Sequence, residues 1–557
     1  MYKIRFYHGN KEAGVSENET ILEAALRNGV HINSSCHGKG VCGKCKIILK
    51  GGEVSVREEA GKLLTDDDRR NGYHIACLTY PKSDLTVEIP EESRLSEHQI
   101  VNEIKIQRTE NKVHKFAGVA VDVGTTTVSA YLIDLKTGNV VDGHSLFNKQ
   151  ITYGEDVLTR IEYSKKENGM EDLNSAVIKT INKLIEKLFD DENFESKKAD
   201  IKYLAKMVIS GNTTMTYLLI KRNPAEIQRN VQIEDFRQSY SFKAKKLGIT
   251  ASQTTDLYIT PGVGSYVGGD IVADIIATGI HKSDETCLII DVGTNGELVL
   301  GNKDWLISAS TSAGPAFEGT STKFGMRATS GAIDKIKIER ENGDFNVHYS
   351  VINNDKPGGI CGSGLIHLIP ELFLNKIIDY KGKFIKNSDK VRKSSRFKTG
   401  VDEIPEFVIA FANETSIKRD IIITEKDIEN IIMTKAAIYA GVSTMTKVGV
   451  PLGDISRVYI AGGFGYHMDI EKSIILGLLP DIDVNKFEFI GNGSVKGSHM
   501  ILISDEKRKE AEEVAKKATY FDLSTDALGE FTGEYINAMF IPHRNPDRFL
   551  SVEKMME

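Results

Sequence analysis

Only six of the 557 residues are cysteine. So sparse a set rules out a disulfide framework, which staples short secreted chains unable to bury a sufficient core. No stretch of about 18 apolar residues occurs, so no bilayer-spanning helix is expected, and Met1-Tyr2-Lys3-Ile4-Arg5 opens no apolar signal segment. Basic charge is not in excess: 71 Lys and Arg stand against 78 Asp and Glu, a formal net charge of −7. With no Lys/Arg block and no aromatic platform, neither nucleic acid nor a membrane is an expected partner. Free cysteines fit a reducing, cytoplasmic setting. Hydrophobic residues at 40% and charged residues at 27% predict folded domains throughout, and the length predicts three or four of them.

The cysteines that are present are not scattered. Cys36, Cys42 and Cys45 follow a C-x5-C-x2-C pattern, and Cys77 stands on a later segment, Ile75-Ala76-Cys77-Leu78. Three close thiolates and one distant one supply the ligands of a binuclear 2Fe–2S cluster. A zinc ribbon would use two CxxC pairs, and only Cys42-Gly43-Lys44-Cys45 is one. Gly38, Gly40 and Gly43 let the backbone wrap closely and turn N–H groups toward sulfur. The spacing is one residue longer than the plant-type pattern and resembles the adrenodoxin and putidaredoxin type of ferredoxin. Around it, Tyr2 to Phe6 alternates like a strand, Thr20-Ile21-Leu22-Glu23 reads as a capping box opening a helix that Gly29 closes, and Leu85 to Ile89 alternates as a final strand. From Pro90 to about Lys115 the composition turns polar and reads as a linker.

Beyond the linker an internal repeat appears. Val119 to Thr127 carries Asp122-Val123-Gly124-Thr125-Thr126, and Leu288 to Gly296 carries Asp291-Val292-Gly293-Thr294-Asn295. Each joins an apolar strand to an alternating one, Val128 to Ile133 and Glu297 to Leu300, which predicts two related α/β lobes. In such a hairpin glycine permits a tight turn whose N–H groups reach phosphate oxygens, threonine hydroxyls add donors, and the aspartate holds Mg2+ directly or through water. Ordinary β-hairpins also contain such turns, so the duplication carries the weight. A third segment, Val458 to Gly465, runs an apolar strand into Gly462-Gly463-Phe464-Gly465, where backbone can lie flat against adenosine. Between the hairpins, Ala176 to Phe189 has helical spacing and Met207 to Ser210 is a buried-strand run. Gly362 and Ser363, in the glycine-rich opening of a helix over Leu365 to Leu374, form a further phosphate or ribose candidate. Cys287 and Cys361 read as core residues.

Together the three motifs resemble the acetate and sugar kinase, Hsc70 and actin superfamily. That resemblance implies an α/β chain: a β-grasp ferredoxin-like domain followed by two ribonuclease H-like lobes that bind ATP and Mg2+. It divides the chain into residues 1–91, a linker over 92–115, a middle domain over 116–205 and a C-terminal ATPase domain over 206–557. Asp122 and Asp291 take their places in the phosphate motifs. Asp270, in Tyr266-Val267-Gly268-Gly269-Asp270, corresponds to the catalytic base of sugar kinases and would orient water, with ordinary helix N-capping as its competing role.

The whole chain further resembles the reductive activators of corrinoid-dependent methyl-transfer systems, notably through Ser312 to Gly319, Gly325 to Ile333 and Gly359 to Gly364. The resemblance implies that one electron passes from the cluster to the Co(II) form of a corrinoid protein, restoring Co(I) for methyl transfer. It implies a low-potential electron donor, a homodimer, and a cobalt contact from the loop Arg327 to Ala332, with Ser330 as the candidate. The alternatives are a redox-regulated metabolite kinase of the same superfamily and an activator of a different low-potential metalloenzyme.

Overall fold

The computed structural model describes all residues except 8–10, 35–37, 39, 41–42, 65, 91–92, 94–115, 190–199, 229–234, 315, 320–321, 342, 401–403, 464–467, 526–528 and 557. The chain forms two compact units, one of residues 1–98 with 149–176 and the other of residues 99–148 with 177–557.

In the first unit, strands β1 (Tyr2–Phe6), β2 (Lys11–Val15), β3 (Lys46–Gly51), β4 (Tyr73–Ile75) and β5 (Leu85–Glu88) form one sheet in the order β2-β1-β5-β3-β4. The pairing of β1 with β5 is parallel and the β1–β2 hairpin is antiparallel, the mixed sheet of a β-grasp. Helix α1 (Ile21–Arg27) begins as expected. The Thr20 hydroxyl accepts from the Glu23 N–H at 3.1 Å while the Glu23 carboxylate accepts from the Thr20 N–H at 2.8 Å. Asn28 caps its far end and Gly29 follows at φ 63°, the left-handed stop that the sequence places there. Ile4, Phe6, Val15, Ile21, Ile47 and Val87 fill the core. Of the linker expected over 92–115, only Ser93 lies within the described residues; its hydroxyl donates to Lys44 O at 3.0 Å.

In the second unit, one sheet holds β6 (Ala117–Val123), β7 (Thr127–Asp134), β8 (Val140–Phe147), β9 (Leu204–Gly211), β10 (Tyr240–Lys243) and β11 (Asp256–Ile259), in the order β8-β7-β6-β9-β11-β10. The other holds β12 (Cys287–Val292), β13 (Gly296–Gly301), β14 (Leu306–Thr311), β15 (Arg457–Ala461), β16 (Phe487–Gly491) and β17 (Thr519–Tyr520), in the order β16-β15-β12-β13-β14-β17. Each sheet is an antiparallel three-strand meander extended by two parallel strands beside its first member; β10 adds antiparallel to the first sheet, and β17 adds parallel to β14 at the far edge of the second. That shared topology is the ribonuclease H-like arrangement, and the sequence repeat maps onto it strand for strand. The division expected between 205 and 206 needs correction, because both residues are consecutive within β9. Asp122 pairs in parallel register with Ser210, and β11 in turn pairs with β9, so the first sheet runs on to Ile259.

Helices α2 (Gly269–Thr278), α3 (Gly362–Leu374), α4 (Glu425–Val448) and α5 (Gly493–Ile503) accompany these sheets. Ile271, Val272 and Ile275 of α2 and Val495 and Leu502 of α5 share one core with Ala120 and Val208 of the first sheet and Ile289 and Val299 of the second. Helices α2 and α5 meet backbone to backbone: a Cβ at Gly497 would run into the Ala273 carbonyl, and one at Gly493 into the Asp274 carboxylate. Gly497→Ala is therefore expected to cost about 3 kcal/mol, since a backbone carbonyl cannot step aside as a side chain does; a clear fall in the unfolding midpoint on urea titration checks it.

Candidate functional site

Cys45 sits at the entry to β3, and Cys77 on the 3-10 turn Ala76–Leu78 that follows β4. Both thiols are buried, and their sulfurs lie 3.4 Å apart, too far for the S–S bond of about 2.05 Å and close enough to ligate one metal atom. The Ala76 N–H donates to Cys45 O at 2.8 Å and fixes the two segments together. Gly40 has φ 72°, a conformation that favours glycine, and a Cβ there would press on the Leu78 side chain. Cys36 and Cys42 lie outside the described residues. Cys287 and Cys361 are buried core residues, at 3% and 1% exposure.

In the second unit both Asp-Val-Gly-Thr turns close tightly. The Gly124 N–H donates to Thr127 O at 3.0 Å, and the Gly293 N–H to Asn295 O at 2.9 Å. The tips converge: the Thr126 and Thr294 hydroxyls are 3.0 Å apart. Thr125 accepts from the Asn212 side chain at 2.9 Å, and Asn212 also caps the helix Thr213–Ile220. Asn148 donates to Gly124 O at 2.9 Å. The third motif joins at Gly462 (φ 90°), where a Cβ would strike the Asp291 carboxylate and Val292 O. Gly463 follows it; Phe464 and Gly465 lie outside the described residues. Gly362 and Ser363 occupy the first turn of α3 behind Cys361, and the Ser363 hydroxyl lies 3.3 Å from the Cys361 sulfur. Ser330 is exposed, accepts from Asn353 at 3.1 Å and donates to Asp355.

Asp122 accepts from Asn492 at 2.9 Å and Ser494 at 2.8 Å, both at the start of α5. Asp270 lies in the first turn of α2, whose N-cap is Gly268, so it does not serve as the cap. Burial, then the charges of Asp122 and Asp291, push its pKa up to about 8. Burial lifts Asp291 to about 6, with the neighbouring Asp274 carboxyl opposing the rise and the charge of Asp122 adding to it. Asp122, Asp274 and Glu297 are also raised, burial being the main cause in each. Five acids thus converge where motif reading named three. Asp274, Glu297, Asn492, Ser494, Asn212 and Glu318 were missed, although Glu297 is the lone charge of an otherwise apolar strand and Asn492-Gly493-Ser494 follows a strand as a helix cap does.

These features define a class: a two-lobed ribonuclease H-like fold with paired phosphate-type hairpins, carried behind a ferredoxin-like domain. Residues 7–82 match a 2Fe-2S iron-sulfur cluster binding domain, 117–283 the RACo middle region, and 285–553 the C-terminal domain of RACo, the ASKHA domain. The chain is 30% identical to the corrinoid activation enzyme RamQ of Eubacterium limosum, over 95% of this chain and 98% of that one. It is 25% identical to the [Co(II) methylated amine-specific corrinoid protein] reductase of Methanosarcina barkeri, over 76% of each. A solved structure of a reductive activator for corrinoid,iron-sulfur protein superposes over 99% of this chain and 100% of the other, with 36% identity and a TM-score of 0.70. The chain belongs to this family of corrinoid-protein activators. No helix among the described residues is long and apolar enough to cross a membrane.

A carboxyl whose folded pKa is raised holds extra protons in the native state, so stability falls as pH climbs from the unfolded value of about 4 toward the folded one. For Asp270 that window ends at about 8. Asp270→Asn is expected to stabilise the ligand-free protein by roughly 1 kcal/mol or more at pH 8 and to lose that advantage near pH 4, as read from unfolding midpoints across the pH range.

Proposed function

We propose that this protein reductively activates a corrinoid protein in an ATP-dependent step, passing one electron to the Co(II) form and restoring Co(I) for methyl transfer. The observation that carries the reading is the full-length correspondence, at 36% identity, with a reductive activator for a corrinoid,iron-sulfur protein. Cys36, Cys42, Cys45 and Cys77 would hold the 2Fe–2S cluster, which supplies single-electron chemistry when bound. The buried Cys45 and Cys77 sulfurs, 3.4 Å apart, fit that donor set. A low-potential carrier must refill the cluster; a reducing cytoplasm suits its thiolates, and a homodimer is the proposed assembly.

The other unit fits a Mg–nucleotide. Gly124 and Gly462 leave no room for a Cβ, so backbone N–H groups come close to any phosphate laid there. Thr125, Thr126 and Thr294 add hydroxyl donors, and Asn295 closes the second turn. Asp122 and Asp291 are the hard oxygen donors for Mg2+, with Asn492 and Ser494 fixing the first. A divalent cation also relieves the repulsion that raises the acidic pKa values. Asp270 would accept a proton from the attacking water, a role for which a carboxyl lifted from the ordinary range is suited. Gly462, Gly463, Phe464 and Gly465 would meet the adenosine, and Gly362 and Ser363 would supply a second phosphate or ribose contact.

Hydrolysis does nothing to a distant redox couple unless it changes binding or ligation, so the expected effect is gating. Under anaerobic conditions the reduced chain mixed with a Co(II) corrinoid protein should build the Co(I) absorption band with Mg-ATP and not without it. Absence of Co(I) with corrinoid proteins from several methyltransferase systems, the cluster being intact, would favour the metabolite kinase. Cys77→Ala is expected to abolish Co(I) formation while leaving the dissociation constant for Mg-ATP within about twofold, a change below the ~1.4 kcal/mol that marks a tenfold loss.

A further inference from the structure

Glu318 is an acid that the motifs do not include, yet it holds both of them. It ends the 3-10 turn Ala316–Glu318 that follows β14. One carboxylate oxygen accepts from the Thr126 hydroxyl at 2.8 Å, the other from the Thr294 hydroxyl at 2.8 Å. Thr126 belongs to the first sheet's hairpin and Thr294 to the second's, so a single carboxylate spans the two lobes. It is an oxyanion with two acceptors set against two hydroxyl donors, the same hydrogen-bond pattern that a terminal phosphate offers.

The segment beyond Glu318 is tied down as well. Gly319 (φ 77°) lies so close to the Met326 backbone that a Cβ would overlap it. The Met326 N–H donates to Ile360 O at 2.9 Å and the Ile360 N–H to Phe324 O at 2.8 Å, which joins the segment to the chain just ahead of α3. The Arg327 guanidinium stacks 3.9 Å from the centre of the Phe147 ring at the end of β8, next to the Asn148 that holds Gly124. Thus the loop of residues 322–332, rooted in the second lobe, is fastened to the first by Glu318 on Thr126 and by Arg327 on Phe147.

We infer that Glu318 is an internal stand-in for the terminal phosphate of the nucleotide, expelled when that phosphate takes the two threonine hydroxyls, and that its expulsion loosens the hold of the 322–332 loop on the first lobe by removing one of its two ties. The inference rests on the nucleotide reading of the two hairpins. Two negative groups cannot share one pair of hydroxyls without repulsion, so binding of the triphosphate and retention of the Glu318 contact exclude each other. Loop release then follows the terminal phosphate, and a diphosphate leaves the latch closed.

The test uses the full chain, Glu318→Ala, and Glu318→Gln, which keeps the side-chain size should the alanine variant fail to fold. Isothermal titration with Mg-ATP and Mg-ADP gives the affinities, and amide hydrogen exchange of residues 322–332 gives the state of the loop. Glu318→Ala is expected to bind Mg-ATP about tenfold more tightly with Mg-ADP nearly unchanged, and Glu318→Gln to lie between. In the parent chain Mg-ATP should raise exchange in the loop; in the variants exchange should be raised before nucleotide is added, with little further rise. Equal tightening for both nucleotides, weaker Mg-ATP binding, or loop exchange indifferent to both substitution and nucleotide would overturn the latch while leaving the hairpins as the nucleotide site. A parent chain that binds neither nucleotide would overturn the hairpin reading itself, and the latch with it.

Discussion

The crowding of carboxyl groups where the two lobes meet is the constraint on which the nucleotide-binding unit depends. Asp122, Asp270, Asp274, Asp291 and Glu297 are drawn together by the convergence of two hairpins, one strand and one helix, and burial raises the pKa of each. A fold optimised for stability alone would not bury so many like charges. Their cost is offset by the apolar strands on either side and by specific donors, Asn492 and Ser494 for Asp122. The net result is a cluster of acids held partly protonated by their burial and mutual repulsion.

Much of this architecture is legible in the sequence. The first strand, the capping box at Thr20 and Glu23, and the Gly29 stop all follow from local chemistry, and each is realised. The duplicated hairpins are visible because apolar runs entering an Asp-Val-Gly-Thr turn are rare enough to notice twice. The lobe boundary at 205 is not legible. Met207 to Ser210 reads as a buried strand, yet nothing local says which sheet receives it; that is decided by its parallel pairing with β6, far away in sequence. The same limit hides Asn492, Ser494 and Glu318, whose roles exist only because distant segments meet.

The N-terminal unit obeys a different economy. Its two described cysteines are placed by short-range features, a strand entry and a 3-10 turn joined by one backbone hydrogen bond from Ala76 to Cys45. Gly38, Gly40 and Gly43 all stand at positive φ, backbone that favours glycine at each of those places. Here spacing in sequence translates directly into geometry, which explains why four cysteines alone carry so much of the reading.

The contact of α2 with α5 has a mechanical meaning. Where helices interlock through large side chains, knobs seat in holes and a relative movement proceeds in steps, each needing new rotamers. At Gly497 there is no such tooth, since the helix backbone rests on the Ala273 carbonyl, while Gly493 faces the Asp274 carboxylate. The separation of the two helices at that point is therefore set by backbone and not by the choice of a rotamer. Because α5 begins with the residues that grip Asp122 and α2 carries Asp270 in its first turn, the same contact helps to fix the distance between those two acids.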